Sequence, residues 1–165
     1  MNSVSFIRGE IMEIALIIHS RTGNTLRVAV RIQEKLILLG YSASLLCIKP
    51  DHEHASDIND VHYASLIDIR DYDGFVVGCP THGASMSQPM AAYLKHLRRF
   101  DHKKVNCFVT EFFPFPWMGG KRALKQLKEV CFLKGTSVNS SGVVNWFTPN
   151  RKDKIEQLSD ELSRF

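Results

Sequence analysis

Short, wholly apolar runs alternate along this chain with segments of helical spacing, and that alternation narrows the possible folds more than any other feature. Residues 14–18 (Ile-Ala-Leu-Ile-Ile) and 75–79 (Phe-Val-Val-Gly-Cys) read as buried strands. Residues 43–48, 105–109 and 136–146 supply three more, the last open to interruption at Ser140-Ser141-Gly142. Between them, Leu26, Ala29, Val30, Leu36 and Ile37 give helical spacing that ends at Gly40, a C-cap residue. Met90, Ala91, Leu94 and Leu97 mark a second helix, and Ala123, Leu124, Leu127, Val130 and Cys131 a third that ends near Gly135. Ile155, Leu158, Leu162 and Phe165 mark a closing one. Strands that are apolar on both faces need cover on both faces. The expectation is an α/β fold: a single doubly wound domain whose five-stranded parallel sheet has the order 2-1-3-4-5, with helices on both sides. Residues 12–165 form that domain, and residues 1–11 read as a flexible N-terminal extension. The polar stretch 51–73 carries a short apolar period at Val61, Leu66 and Ile69 that suggests one further helix.

In such a sheet, ligands bind beyond the carboxyl ends of the strands, where the winding reverses. The loops after the first, third and fourth strands should therefore meet, and they are the three of most unusual composition. The first, Ser20-Arg21-Thr22-Gly23-Asn24-Thr25, puts three hydroxyls and one amide side chain at the start of a helix. The N-terminal N–H groups and dipole of that helix suit a phosphate. The same segment also reads as an ordinary βα turn with Thr22 or Asn24 as N-cap. Neither G-x-G-x-x-G nor G-x-x-x-x-G-K-[ST] occurs, so a phosphate here is held by hydroxyls and amides.

The second loop, Cys79-Pro80-Thr81-His82-Gly83-Ala84, has a proline that should stop the strand, a hydroxyl, a flat polar ring and a glycine free to take positive φ. It also fits a plain turn. The third, residues 110–120, holds Phe112, Phe113, Phe115 and Trp117 where a loop is normally polar. Such aromatics need a flat ligand or a partner chain, unless, as Phe112 and Phe113 allow, they fold back onto the core.

These residues resemble the flavodoxin superfamily along almost the whole chain. Residues 20–25 look like its S/T-x-T-G-N-T phosphate loop. Tyr72-Asp73-Gly74 and Gly78-Cys79-Pro80-Thr81-His82-Gly83 are similar to its Y-D-x-x-x-x-G-x-P-T-Y-x-G segment. Trp117-Met118-Gly119-Gly120-Lys121-Arg122-Ala123-Leu124 resembles the stretch after strand 4 in small members. The resemblance implies noncovalent FMN, its phosphate on Ser20, Thr22, Asn24 and Thr25 and its ring between the second and third loops. Arg21 would pair with the phosphate or point to water. Gly23, Pro80, Thr81, His82, Gly83, Trp117 and Gly119 complete the implied cofactor-binding set, with Trp117 as a stacking face. Gly83 would offer a peptide able to flip with flavin oxidation state. His82 stands where the family often has a tyrosine, which puts a titratable ring near the flavin. His82 or Cys79 is thereby a candidate modulator of potential or proton transfer, and Cys79 also reads as a plain buried thiol.

The implied function is electron transfer, or reduction of a small acceptor such as a quinone at the expense of NAD(P)H, with a redox partner protein or that small acceptor as partner. The alternative is a flavin-free binding or regulatory module on the same fold. A receiver domain would want acidic residues after the first strand, and His19-Ser20 supplies none.

The chain carries a net charge of +4, unevenly spread, whereas flavodoxin electron carriers are typically acidic. Acidic partners, or a role other than simple carrier, follow. Residues 51–73 hold seven acidic residues against one basic, and 95–134 ten basic against three acidic. The basic residues lack the aromatic interleaving of a base-stacking surface, so nucleic acid is not expected. Asp51-His52-Glu53-His54, with Asp57 or His62, has a weak metal-site look but follows Pro50 in a polar loop, and no metal is expected. Cys47, Cys79, Cys107 and Cys131 are too widely spaced for a zinc or iron–sulfur site and read as reduced thiols of a cytoplasmic protein. No apolar stretch approaches the ~18 residues of a membrane span. Residues 1–10 lack the pattern of a secretory signal. The aromatic third loop makes a homodimer plausible.

Overall fold

A computed structural model describes residues 10–51, 58–63 and 65–165. Six strands and four α-helices occur among them: β1 (Glu13–Ile18), α1 (Asn24–Leu38), β2 (Ser42–Cys47), β3 (Gly74–His82), β4 (Ser85–Met86), α2 (Gln88–His96), β5 (Lys104–Glu111), α3 (Gly120–Leu133), β6 (Val138–Asn145) and α4 (Arg151–Leu162). The parallel sheet runs β2-β1-β3-β5-β6. That is the predicted order 2-1-3-4-5, with the two-residue β4 added as an antiparallel partner to the end of β3.

Alternation along each strand divides the core into two layers. Ala15, Ile17, Phe75, Val77, Cys79, Val105, Cys107 and Val109 face one way, against Met90 and Leu94 of α2 and Ala123, Leu127 and Cys131 of α3. Ile14, Leu16, Ile18, Val76, Phe108 and Val144 face the other, against Val28, Ala29, Ile32 and Leu36 of α1 and Leu158 and Leu162 of α4. Arg31 and Lys35 of α1 pair with Glu156 and Asp160 of α4 across the outside of the second layer. Those pairs are partly exposed and add little beside the burial beneath them.

α1 ends where expected, although the C-cap residue is Leu39; Gly40, the residue after it, takes φ 89° and donates its N–H to the carbonyl of Ile37. Three expectations need correction. Pro80 does not stop the third strand. The pairing with β1 ends opposite Gly78, so Pro80 has a sheet neighbour on one side only, a position that proline tolerates, and the strand continues to His82. Stretch 51–73 forms no α-helix among its described residues. It makes two single 3₁₀ turns, Ile58–Asp60 and Ile69–Asp71; Val61 and Ile69 are buried, but Leu66 is exposed, so the apolar period does not define one face. The last strand is not interrupted at 140–142. It bulges by one residue, because buried Asn106 of β5 accepts the Ser140 N–H (3.1 Å) while its amide donates to the Leu162 carbonyl (2.9 Å).

All four cysteines are free, and Cys79, Cys107 and Cys131 are buried while Cys47 is exposed. Burial pushes the Cys79 thiol up to about 11 and that of Cys131 to about 12, so both stay protonated near neutrality. Residues 52–57, which carry most of the weak metal pattern, lie outside the described residues. No helix among the described residues is long and apolar enough to cross a membrane.

Candidate functional site

The carboxyl ends of β1, β3 and β5 open into a cleft of about 890 Å³, within the usual range for small-molecule sites. All three predicted loops border it. Arg21, Thr22 and Asn24 line it from the first, Pro80, Thr81, His82 and Gly83 from the second, and Thr110, Glu111, Phe112 and Phe113 from the third.

The first loop turns into α1 through Gly23, which is the N-cap residue at φ 89°. Neither Thr22 nor Asn24 caps the helix. Asn24 is its first residue, and the Ser20 hydroxyl reaches forward to accept the Leu26 N–H at 3.1 Å. The positive end of α1 thus borders the cleft with Arg21, Thr22 and Asn24 around it. Thr25 is buried, its hydroxyl 2.7 Å from that of Thr110. This contact ties the start of α1 to the end of β5.

The second loop is a β-hairpin. His82 pairs with Ser85, and the two-residue turn Gly83-Ala84 has positive φ only at Gly83 (61°), the arrangement that favours glycine in first place. His82 lines the cleft, and its ring meets that of buried His19 edge-on, with centroids 5.7 Å apart and planes at 83°. His19 is held by its backbone N–H on the Gly78 carbonyl (3.0 Å) and by Nδ1, 2.9 Å from the Ser87 hydroxyl. Cys79 is fully buried and does not line the cleft.

The third loop begins at Glu111, which is buried, accepts the Gly120 N–H at 2.8 Å and so holds the start of α3. Asn145 of β6 donates its amide to the Phe113 carbonyl (2.6 Å), fixing the loop's entry. Phe112 and Phe113 do not fold back onto the core: they are 62% and 42% exposed, and Phe112 packs edge-on against Phe147. Trp117 is 73% exposed, stacks on Phe115 at 5.6 Å, and is not among the lining residues. Gly119 has φ 151°, and a Cβ there would sit 3.0 Å from the Ala84 Cα and 3.2 Å from the Gly83 carbonyl oxygen. The second and third loops therefore touch backbone to backbone, beside the cleft.

Burial raises the Glu111 carboxyl above its ordinary 4.5, with the Gly120 N–H pulling partly the other way. Below pH 4.5 both folded and unfolded chains hold this proton. As pH rises through the folded value, only the folded state bears an ionised buried group, and stability falls. Glu111→Gln removes that penalty. The stability difference between variant and wild type, followed by urea denaturation, should move in the variant's favour as pH is raised from 4.5 towards neutrality. A difference that stays flat with pH would contradict the raised value.

No protein-family model matches the sequence, and no curated protein does. Solved structures do. A Lactobacillus acidophilus flavoprotein in complex with FMN superposes with a TM-score of 0.62 at 14% identity, over 90% of this chain and 99% of that one. Oxidised flavodoxin 2 of Bacillus cereus gives 0.64 at 16%, over 92% and 97%. Two-electron reduced Megasphaera elsdenii flavodoxin gives 0.60 at 16%, over 91% and 98%. With the strand order above, these likenesses show that the chain has the flavodoxin-like fold.

Proposed function

We propose that the protein binds FMN noncovalently in this cleft and works as a redox protein, passing electrons to a partner protein or to a small acceptor of the quinone type. The observation that carries the reading is the convergence, at one cleft, of a hydroxyl-rich helix N-terminus with two loops that suit a flat ring. Ser20, Thr22 and Asn24, with the first amides of α1, would hold the phosphate, and Arg21 would add its charge. Thr25 would support that loop through Thr110. Pro80, Thr81, His82 and Gly83 would flank the ring on one side, with Phe112 and Phe113 as apolar surface at the other loop. The bound flavin would supply the electron-transfer chemistry, and the chain binds, orients and tunes it. A rigid hairpin braced by Gly119 would fix the ring's polar edge against backbone groups, and His82 would stand as the titratable neighbour. NAD(P)H has no separate fingerprint here and would have to dock over the flavin. Three buried reduced thiols support a cytoplasmic setting.

The phosphate loop makes the reading testable. Fluorescence titration of the protein with FMN and with riboflavin should show FMN binding about a hundredfold more tightly. Two lost charge-assisted hydrogen bonds, at about 1.5–3 kcal/mol each, account for at least that factor. Equal affinities would contradict a phosphate role for residues 20–25. Binding of neither would leave the flavin-free module.

A further inference from the structure

The aromatic loop raises a question that the cleft does not answer. Phe112 and Phe113 have the cleft to face, but Phe115 (52% exposed), Trp117 (73%) and Met118 (37%) do not line it. Pro114 is part of a loop that holds Phe115 and Trp117 stacked together and outward. Immediately after it, α3 exposes Lys121, Arg122, Lys125 and Lys128, with Glu129 the one acidic residue of the helix, 3.8 Å from Lys125. The same face of α3 continues as a groove of about 750 Å³ with Leu124, Phe132 and Leu133 in its walls and Lys121, Lys125, Lys128 and Glu129 beside them. Aromatic tips beside a cationic helix face, both solvent-exposed, are the composition of a surface that seats at a lipid headgroup layer.

We infer that loop 112–118 and the outer face of α3 form a docking surface for an anionic lipid membrane. A second copy of the chain fits less well. Pairing two such loops around a two-fold axis would bring the cations of both α3 helices towards each other, four on each helix against a single acid, Glu129. A transient electron-transfer contact with an acidic protein would use the cations, yet contacts of that class are small and leave little reason for so many bare aromatics. A membrane uses both. The lysines and Arg122 meet lipid phosphates, and Phe115 and Trp117 enter the interfacial zone where aromatic rings concentrate. The docking does not depend on the redox reading.

The test uses the full chain and reads binding alone, without FMN, so its outcome is separate from that of the flavin titration. Co-sedimentation with vesicles of phosphatidylglycerol and phosphatidylcholine should pellet the protein, and vesicles of phosphatidylcholine alone should bind it at least about tenfold more weakly. K121E/R122E and F115A/W117A should each weaken binding to the anionic vesicles by about tenfold or more. The chain has two tryptophans, so W146F leaves Trp117 as sole emitter. Its fluorescence should shift to the blue on anionic vesicles and be quenched by brominated lipid. Circular dichroism confirms that each variant is folded. No binding to anionic vesicles overturns the inference, and an acidic protein partner then becomes the better cover for the loop. Binding that leaves Trp117 emission unchanged also overturns it, since net charge alone would explain that.

Discussion

Replacing Phe108 with alanine is expected to lower the stability of the fold by about 3–5 kcal/mol. For a chain of this length that is a fall in Tm of about 6–20 °C. Phe108 lies on β5, fully buried beneath α1 and α4. Its ring occupies the space that a side chain on neighbouring β3 would need: a Cβ on Gly78 would sit 2.3 Å from Phe108 Cε1 and 2.4 Å from Cζ. The two positions are thus one packing unit. Gly78→Ala alone should cost about 1–3 kcal/mol by overpacking. Combined with Phe108→Leu, it should cost less than the sum of the two single changes, since the smaller side chain makes room for the methyl. Thermal melts of the two single variants and the double variant check this, and strict additivity would contradict the packing account. The site depends on the same unit, because the Gly78 carbonyl accepts the His19 N–H just before β3 runs on to Pro80, Thr81 and His82.

Gly119→Ala should act on the cleft itself. Gly119 has a backbone conformation that side chains rarely adopt, at a cost of about 1–3 kcal/mol for any other residue. The added methyl would also press on the Ala84 Cα, 3.0 Å away, and on the Gly83 carbonyl at 3.2 Å. The chain's relief is to push the hairpin away from the third loop, which widens the cleft between His82 and Phe112. FMN affinity should fall about tenfold or more, since each factor of ten corresponds to about 1.4 kcal/mol. The control is Gly40→Ala, also at positive φ but with open space around it and far from the cleft, which should cost stability and leave FMN affinity unchanged. Equal effects of the two on affinity would mean that the contact between the loops does not shape the site.

The strands were legible because β1 and β3 are apolar on both faces, which a parallel sheet covered on both sides satisfies. The loops that meet at the cleft followed from the sheet order, so Arg21, Thr22, Asn24, Pro80, Thr81, His82 and Gly83 could be named in advance. What stayed hidden depends on partners far along the chain. His19 looks like a strand-end polar residue until Ser87, 68 positions away, and His82 come to it. Thr25 turns to Thr110, 85 positions away. Glu111 is an acid at the end of an apolar strand, and its burial against Gly120 shows only once α3 is placed. The hairpin was masked by Pro80, which reads as a strand stop when the number of neighbouring strands is unknown. A tryptophan in a loop suggests a ring to stack on, but the structure turns Trp117 outward onto Phe115. Phe112 and Phe113, adjacent to the strand end, line the cleft instead.

The central claim is that the cleft is a flavin site, and an absorption spectrum tests it most directly. The purified protein, before and after incubation with FMN and desalting, should show bands near ~370 and ~450 nm that remain with it and bleach on chemical reduction. A colourless protein that retains no added FMN would contradict the claim and leave a flavodoxin-like fold whose cleft serves another ligand.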